Sequence, residues 1–505
     1  MQFGPNDIKI NNRTYWIGIS ACLLLGLFLR LLAVGTRSFD SDEVYELNHL
    51  SLNAWTVAED GDGFPPLFRW LLSWWMLVSG PEYSRLFSVL FGLATVVVCS
   101  VLARRIGNAS TGLGTAFFGS ISAHQVTFGQ SLRAYTIQLF AVSLVMLAGW
   151  LVSRSASKRN WAFLVLSSFF ALGTHYYSAY FLAATWVFVF CHLRRDQLHL
   201  YVLCAIALSI LCIPWIFCLR IDLSNKLPEE WKNKFDFTCW AYLYLSLIQG
   251  WAIGPSSIEL LVLPKRLGII AIAPWAVMGF GFATLLVGLS RRSIDFRTQA
   301  WLVGMLAVIP ILSGAVTLLM DSTFASRYVA GLSVPLAILI GGGMTWTGKM
   351  IPMFATYGLI AINLLSVFNR SFVEKYDREN YRSLVAKATN IEKNPAIIVL
   401  SCYTASAVER ELLPSSPLCV LGFGTGEPDD WKQELLRFRK KLAQREKVFL
   451  VVDWMHSRIY EPKKLERMLY RIDGVLVERV SNTTSLYVGR TDALTNSLET
   501  WEGDK

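Results

Sequence analysis

Apolar runs of about 20 residues recur along this chain of 505 residues and constrain its fold more than any other feature. A helix of that length crosses a hydrocarbon core about 30 Å thick. Only 17% of the residues are charged, whereas soluble domains carry about 25%. The sequence therefore predicts a polytopic α-helical membrane protein with about 11 transmembrane helices, at 16–36, 85–103, 109–128, 134–152, 161–177, 179–193, 200–218, 267–289, 299–319, 328–346 and 350–368.

Basic residues predict which ends of these spans face the cytoplasm. If the N-terminus, with Lys9 and Arg13, is cytoplasmic, every second connection is cytoplasmic as well and is rich in Lys and Arg. Those connections contain Arg104, Arg105, Arg154, Arg194, Arg195, Arg291 and Arg292. The net charge of +10 is thus explained by cytoplasmic loops and anionic lipid head groups, and nucleic acid is not expected as a partner.

Two long connections lie on the external side in this topology. The apolar segment 66–79 is too short to span, and counting it would invert the basic bias of every later loop. We expect it to form an interfacial helix within a first external loop, 37–84. The second external loop runs over 219–266.

The end of the chain has the composition of a soluble domain. We predict a transmembrane domain over 1–368 and an external α/β domain over 369–505. Short apolar runs predict its strands and charged patterns at 429–445 and 461–472 predict helices between them. The runs are 396–400, 418–422, 448–452, 474–480 and 485–488.

An acidic pair, Asp42-Glu43, follows the first span. Carboxylates beside a membrane are costly to dehydrate, so they either cap a helix in a solvated loop or serve a chemical purpose. Other polar residues occur at the same external level, where spans begin or end: Arg133, Tyr135, His175, Tyr176, Tyr177, Arg327 and Tyr328.

These arginines and aromatic residues suit two roles. Arginine side chains snorkel to lipid head groups, and aromatic rings anchor helices at the interface. Arginine also binds phosphate with two parallel hydrogen bonds. If the group holds the phosphate of a lipid, a carboxylate nearby would act as general base for an acceptor that enters from outside.

Four short motifs follow one another in the first 180 residues: Asp42-Glu43, Pro65-Pro66-Leu67-Phe68, Arg85-Leu86-Phe87-Ser88 and Gln130-Ser131-Leu132-Arg133-Ala134-Tyr135. In this order and on the predicted side, they resemble the motifs of the integral-membrane glycosyltransferases of superfamily C (GT-C). The closest branch is the bacterial one, similar to protein O-mannosyltransferases and lipid A aminoarabinose transferases. The family's Gln-Glu-Ala-Arg-x-Tyr differs here at Ser131 and Leu132.

The resemblance implies an inverting glycosyltransferase of the bacterial inner membrane, with its C-terminal domain in the periplasm. The donor would be a polyprenyl-phosphate-linked sugar, and the acceptor a protein, glycan or lipid on the external face. Asp42 would be the catalytic base, and Glu43 would orient the loop or the acceptor. The residues expected around the donor, or at the rigid start of the interfacial helix, are Arg133, Tyr135, His175, Tyr176, Tyr177, Arg327, Tyr328, Pro65 and Pro66.

Two other classes of function compete with this interpretation. A transporter or flippase of lipid-linked sugars should show ionisable residues near mid-span and broken helices in matched halves, whereas the spans are almost free of charge at their centres. If the protein were a receptor or scaffold, Asp42 would have no chemical role. The six histidines share no ligand-like spacing with nearby acids, so no cofactor is expected and a divalent metal site is not indicated.

Overall fold

The structure is a computed structural model. It describes residues 10–53, 65–216, 237–254, 265–319, 325–345, 350–373, 376, 380–399, 402–412, 415–420, 437–438, 440, 447–453, 476–479, 484–490 and 495. Most of the predicted external loop 219–266 and of the predicted helix 429–445 lies outside these residues. The predicted helix 461–472 lies outside them entirely.

Helices occupy the positions of the predicted spans. Their bounds are Asn12–Leu31, Ser84–Ile106, Ala109–Ile121 with Ala123–Gly129, Tyr135–Arg154, Lys158–Thr174, Ser178–Phe190, Leu198–Leu211, Lys265–Leu289, Phe296–Leu319, Ser333–Met344 and Met350–Phe372. Among the described residues, seven helices are long and apolar enough to cross a membrane. The protein is thus a multi-pass membrane protein, and the count of about 11 stays a prediction.

The predicted span 109–128 is interrupted at Ser122, where one helix ends and the next begins. Ser122 donates its N–H to the Phe118 carbonyl, 2.8 Å away, and its hydroxyl accepts from the N–H of Gln125. The carbonyls of Gly119 and Ser120 accept hydrogen bonds from Arg30 at 3.1 and 3.3 Å. Because these partners satisfy backbone groups that a break would otherwise leave unpaired, the interruption is tolerated inside the protein.

Small residues allow the Ala109–Ile121 helix to approach Ser333–Met344 closely. A Cβ atom on Gly341 would overlap the backbone of Thr115. Every residue of Ser333–Met344 is buried. Association of membrane helices depends on such packing because lipid tails are as apolar as the side chains they would replace.

The Leu67–Ser79 helix has the two-faced character predicted for 66–79. Phe68 and Leu72 are buried, while Trp74, Leu77 and Val78 are exposed, which follows helical spacing. Its 13 residues extend only about 20 Å at 1.5 Å per residue, less than a hydrocarbon core. An interfacial position remains a prediction.

The residues form two compact units. The first, here called the membrane unit, contains Met1–Val34, His49–Pro255 and Arg266–Asn369. The second, the C-terminal unit, contains Gly35–Asn48, Ser256–Lys265 and Arg370–Lys505. The grouping therefore joins the start of the predicted first external loop, including the acidic pair, to the C-terminal residues.

A mixed sheet of five described strands forms the core of the C-terminal unit. The strands are β1 (Ile397–Val399), β2 (Leu418–Val420), β3 (Lys447–Asp453), β4 (Leu476–Arg479) and β5 (Thr484–Arg490), in the order β2-β1-β3-β5-β4. β1 pairs in parallel with β2 and β3, and β5 pairs antiparallel with β3 and β4. These strands coincide with the five short apolar runs of the sequence. The helices Ser41–Asn48, Tyr381–Ile391 and Cys402–Glu411 belong to the same unit.

Candidate active site

The acidic pair lies in the first turn of the Ser41–Asn48 helix. Asp40 precedes this helix, and its Oδ1 accepts the N–H of Glu43 at 2.8 Å. In return, Glu43 Oε2 accepts the N–H of Asp40 at 3.0 Å. This reciprocal pair is a capping box, which satisfies two backbone donors at the start of the helix.

The two acids of the pair therefore differ in their surroundings. Glu43 is only 2% exposed and is tied to the helix start, whereas Asp42 is half-buried. The N-terminal end of a helix carries partial positive charge and stabilises a negative side chain there. Asp42 lies in this first turn.

Val44 anchors the acidic helix to the core of the C-terminal unit. It is buried together with Tyr381, Leu384 and Val385, and with Val399 of β1. The helix that bears Asp42 is consequently fixed by packing as well as by its cap.

A second group of predicted residues meets in the membrane unit, and we call it the aromatic cluster: Tyr135, His175, Tyr177 and Tyr328. The His175 ring lies 5.7 Å from the rings of both Tyr135 and Tyr177 and 5.8 Å from that of Tyr328. The rings of Tyr177 and Tyr328 are 5.0 Å apart. Residues from three separate segments of the chain thus form one contiguous group of rings, in which Tyr135 and His175 are buried.

Two arginines lie at this cluster. The guanidinium of Arg133 is 5.9 Å from the centre of the Tyr135 ring, and that of Arg327 is 5.9 Å from the centre of the Tyr328 ring. Both arginines interact electrostatically with His175. Two positive charges that are widely separated in sequence therefore lie beside one aromatic cluster, an arrangement suited to an anion.

Local hydrogen bonds fix the geometry of the cluster. Gln138 Nε2 donates to the Tyr328 carbonyl at 3.0 Å, which joins two of the segments. The N–H of Tyr177 donates to Nδ1 of His175 at 3.2 Å, so Nδ1 is an acceptor and the ring carries its proton on Nε2 in the neutral form. Tyr176 is half-buried and lies between His175 and Tyr177 in the sequence.

The two predicted prolines are buried at the start of the Leu67–Ser79 helix. Pro66 has φ −73° and ψ −11° at the position before the first helical residue. Its carbonyl accepts the first helical bond, from the N–H of Trp70 at 2.9 Å. These prolines shape the beginning of a helix, a role separate from the ring contacts that form the aromatic cluster.

Two motif residues have structural roles that the sequence analysis did not assign. Gln130 Nε2 donates to the carbonyls of Leu29 and Leu32, at 3.0 and 2.9 Å. Arg85 Nη1 donates to the Val34 carbonyl at 2.9 Å. Gln130 and Arg85 thus hold the end of the first span, directly before the acidic segment. Their occurrence in the four motifs was the sequence signal that could have identified them.

Arg30 is a further residue that the sequence analysis missed. It is 0% exposed and donates to the carbonyls of Gly26, Gly119 and Ser120. Cβ atoms added at Gly92 or Gly129 would meet its side chain. In the sequence, Arg30 is a lone charged residue inside an apolar run, and such a residue commonly has a buried polar role.

Metal-ligating residues do not gather in the part of the chain that the structure describes. No group of three or more His, Cys, Asp or Glu side chains there is arranged to hold an ion.

Comparison with known proteins adds evidence on the fold. Residues 64–217 match the family described as Dolichyl-phosphate-mannose-protein mannosyltransferase. A comparison with curated protein sequences gave no significant match.

Two solved structures are similar over nearly their whole length. ArnT from Cupriavidus metallidurans in the apo state has a TM-score of 0.55 and 11% identity, over 96% of this chain and 99% of that chain. The same protein bound to undecaprenyl phosphate has a TM-score of 0.50 and 13% identity, over 95% and 98%. The predicted resemblance is confirmed: the chain has the fold of the integral-membrane glycosyltransferases of superfamily C.

Proposed function

We propose that this protein is an inverting glycosyltransferase that moves a sugar from a polyprenyl-phosphate donor to a nucleophile on an acceptor. The observation that carries the proposal is the convergence of Arg133 and Arg327 on the aromatic cluster. Such a pair of guanidinium groups provides bidentate donors for a phosphate, and aromatic rings provide a surface for a sugar or the start of a lipid tail.

The similar structures support the nature of the donor. ArnT from Cupriavidus metallidurans has been solved with undecaprenyl phosphate, and the family that matches residues 64–217 is described by a dolichyl-phosphate-mannose donor. Both ligands combine a phosphate with a long isoprenoid tail. We propose the same class of donor for this chain, with the phosphate at Arg133 and Arg327.

The reaction we propose is a single displacement at the anomeric carbon. Asp42 takes the proton of the acceptor nucleophile as that atom forms its bond to the sugar and the bond to phosphate breaks. The leaving group is a phosphate monoester, which departs without protonation, so its charge is neutralised by the arginines. One carboxylate is therefore sufficient, in contrast to the paired acids of most glycosidases.

The remaining predicted residues receive supporting roles. Glu43 holds the first turn of the helix through the capping box. Tyr135, His175, Tyr177 and Tyr328 surround the donor, with Tyr176 beside them. Pro65 and Pro66 fix the start of the Leu67–Ser79 helix.

The cellular setting follows the charge bias of the loops. We propose a bacterial inner-membrane protein whose N-terminus is cytoplasmic and whose C-terminal unit is external. Transfer would then take place on the external face, and the acceptor would be a protein, glycan or lipid of the cell envelope.

Transfer from a labelled polyprenyl-phosphate sugar, measured with the full chain in vesicles, tests the assignment of Asp42. We expect Asp42→Asn to lower the rate by at least about 100-fold, since general-base catalysis contributes about 10²–10⁴-fold. Asp196→Asn, at an exposed acid, is the matched control. A folded Asp42→Asn protein with normal transfer would contradict the assignment. Movement of the labelled lipid across the bilayer without transfer would favour a flippase.

The same assay tests the proposed role of Arg133 in binding the donor phosphate. Arg133→Ala should raise the donor KM roughly 10- to 100-fold, since hydrogen bonds to charged groups contribute about 1.5–3 kcal/mol. Arg105→Ala, at an exposed arginine, serves as control. An unchanged donor KM in Arg133→Ala would remove Arg133 from the phosphate site.

A further inference from the structure

We infer that Tyr381 and Arg382, in the C-terminal unit, are positioning residues for Asp42, so that this unit is part of the catalytic apparatus. The inference rests on the proposed role of Asp42 as the base. It gives the C-terminal unit a task within the reaction that differs from simple recognition of the acceptor. The evidence consists of contacts within the unit itself.

Tyr381 bonds to the residue that precedes Asp42. Its hydroxyl lies 2.9 Å from Ser41 Oγ in a buried hydrogen bond, and Tyr381 is 0% exposed. A buried hydroxyl pair is costly to separate because neither group can turn to water instead. The first residue of the acidic helix is thus fixed at a defined point of the Tyr381–Ile391 helix.

Arg382 holds the chain where it enters this unit. Its Nη1 donates to the carbonyls of Gly35 and Thr36 at 3.0 and 3.2 Å. Glu411 orients the guanidinium through an ion pair with Nε at 3.1 Å. The planar guanidinium donates in fixed directions, so the ion pair and the two carbonyl bonds act together.

Packing also supports the acidic segment, at Phe39 and at Val44. The guanidinium of Arg410 lies 4.6 Å from the centre of the Phe39 ring, and Val44 is buried in the same core as Tyr381. The acidic segment is therefore held at its start by Arg382, at Ser41 by Tyr381 and beyond Asp42 by Val44. Its position is set by residues far away in sequence as well as by the local capping box.

Positioning of this kind predicts a specific kinetic effect. A displacement of about 1 Å at a reacting group can lower the rate about 100-fold. The proposed phosphate ligands Arg133 and Arg327 belong to the other unit, so donor binding should be unaffected. Loss of either positioning residue should therefore lower kcat and leave the donor KM unchanged.

The test uses the full chain in vesicles with the labelled polyprenyl-phosphate sugar. Tyr381→Phe and Arg382→Ala should each lower kcat about 10- to 100-fold at constant donor KM, and Arg382→Lys should recover part of the loss. Tyr487→Phe alters another buried tyrosine of the same unit, and Lys393→Ala alters an exposed cation; both controls should keep the parent rate. In an Asp42→Asn background, Tyr381→Phe should produce no further loss.

Several results would overturn the inference. They are a parent-like kcat in both Tyr381→Phe and Arg382→Ala, an equal loss in Tyr487→Phe, or a further independent loss in the Asp42→Asn background. Thermal melting of each purified variant shows whether a loss merely reflects unfolding, which would also count against positioning. A fully active Asp42→Asn protein would instead contradict the proposed function, so the two failures are distinguishable.

Discussion

At the scale of single residues, the acidic pair shows how one position along a helix changes the task of a carboxylate. Glu43 is the third residue of its helix, where its side chain reaches back to the N–H of Asp40. Asp42, one residue earlier, lies about 100° away around the same helical turn and is half-buried. Adjacent acids of the same charge are thus divided between structure and proposed chemistry.

Substitution of Glu43 tests this division. Glu43→Ala removes the acceptor for the Asp40 N–H and should destabilise the folded protein by about 1 kcal/mol, with a lower melting temperature. Glu43→Gln keeps an acceptor oxygen and should retain both stability and transfer. Loss of transfer in Glu43→Gln at an unchanged melting temperature would show that the charge of Glu43 acts directly.

The sequence predicted which residues gather in the membrane unit better than it predicted how they gather. Tyr135, His175 and Tyr328 were assigned to one external level because each lies at the end of a span. The ring contacts among them depend on the packing of helices from distant parts of the chain. The contributions of Gln130 and Arg85 went unassigned because their partners are carbonyls, which no side-chain pattern reveals.

At the scale of elements, hydropathy located the helices and the five strands, because a membrane span or a buried strand is a continuous apolar run. It did not reveal the break at Ser122, since residues 109–128 together have the length of a single span. Nor did it group residues 35–48 with the C-terminal residues. That grouping depends on partners such as Tyr381 and Arg382, which a local pattern does not contain.

Packing between helices gives a prediction at this scale. Gly341→Val should disrupt the contact between Ala109–Ile121 and Ser333–Met344, because its side chain would overlap the Thr115 backbone. Overpacking of this kind costs about 1–3 kcal/mol or more, so melting temperature and yield should fall. Gly304→Val is the control, as its added Cβ meets open space. Equal stability of the two variants would contradict the packing argument.

At the scale of the whole molecule, the basic loops predict an orientation that can be measured. Lys393→Cys places a thiol at an exposed position of the C-terminal unit, and Arg105→Cys places one after a span, at a predicted cytoplasmic end. A membrane-impermeant maleimide should label the first variant in intact cells and the second only after permeabilisation. The parent chain gives the background from native cysteines. The opposite pattern would invert the proposed topology.

The bond between Ser41 and Tyr381 also has a consequence for biosynthesis. Its two residues are separated by 340 positions, so the ribosome makes the acidic helix long before it makes the partners of that helix. At about 5–20 residues per second, the delay is on the order of tens of seconds. If Asp42 is the base, as proposed, an unfinished chain already inserted in the membrane would lack a correctly held base, and transfer would begin only after the C-terminal unit has folded.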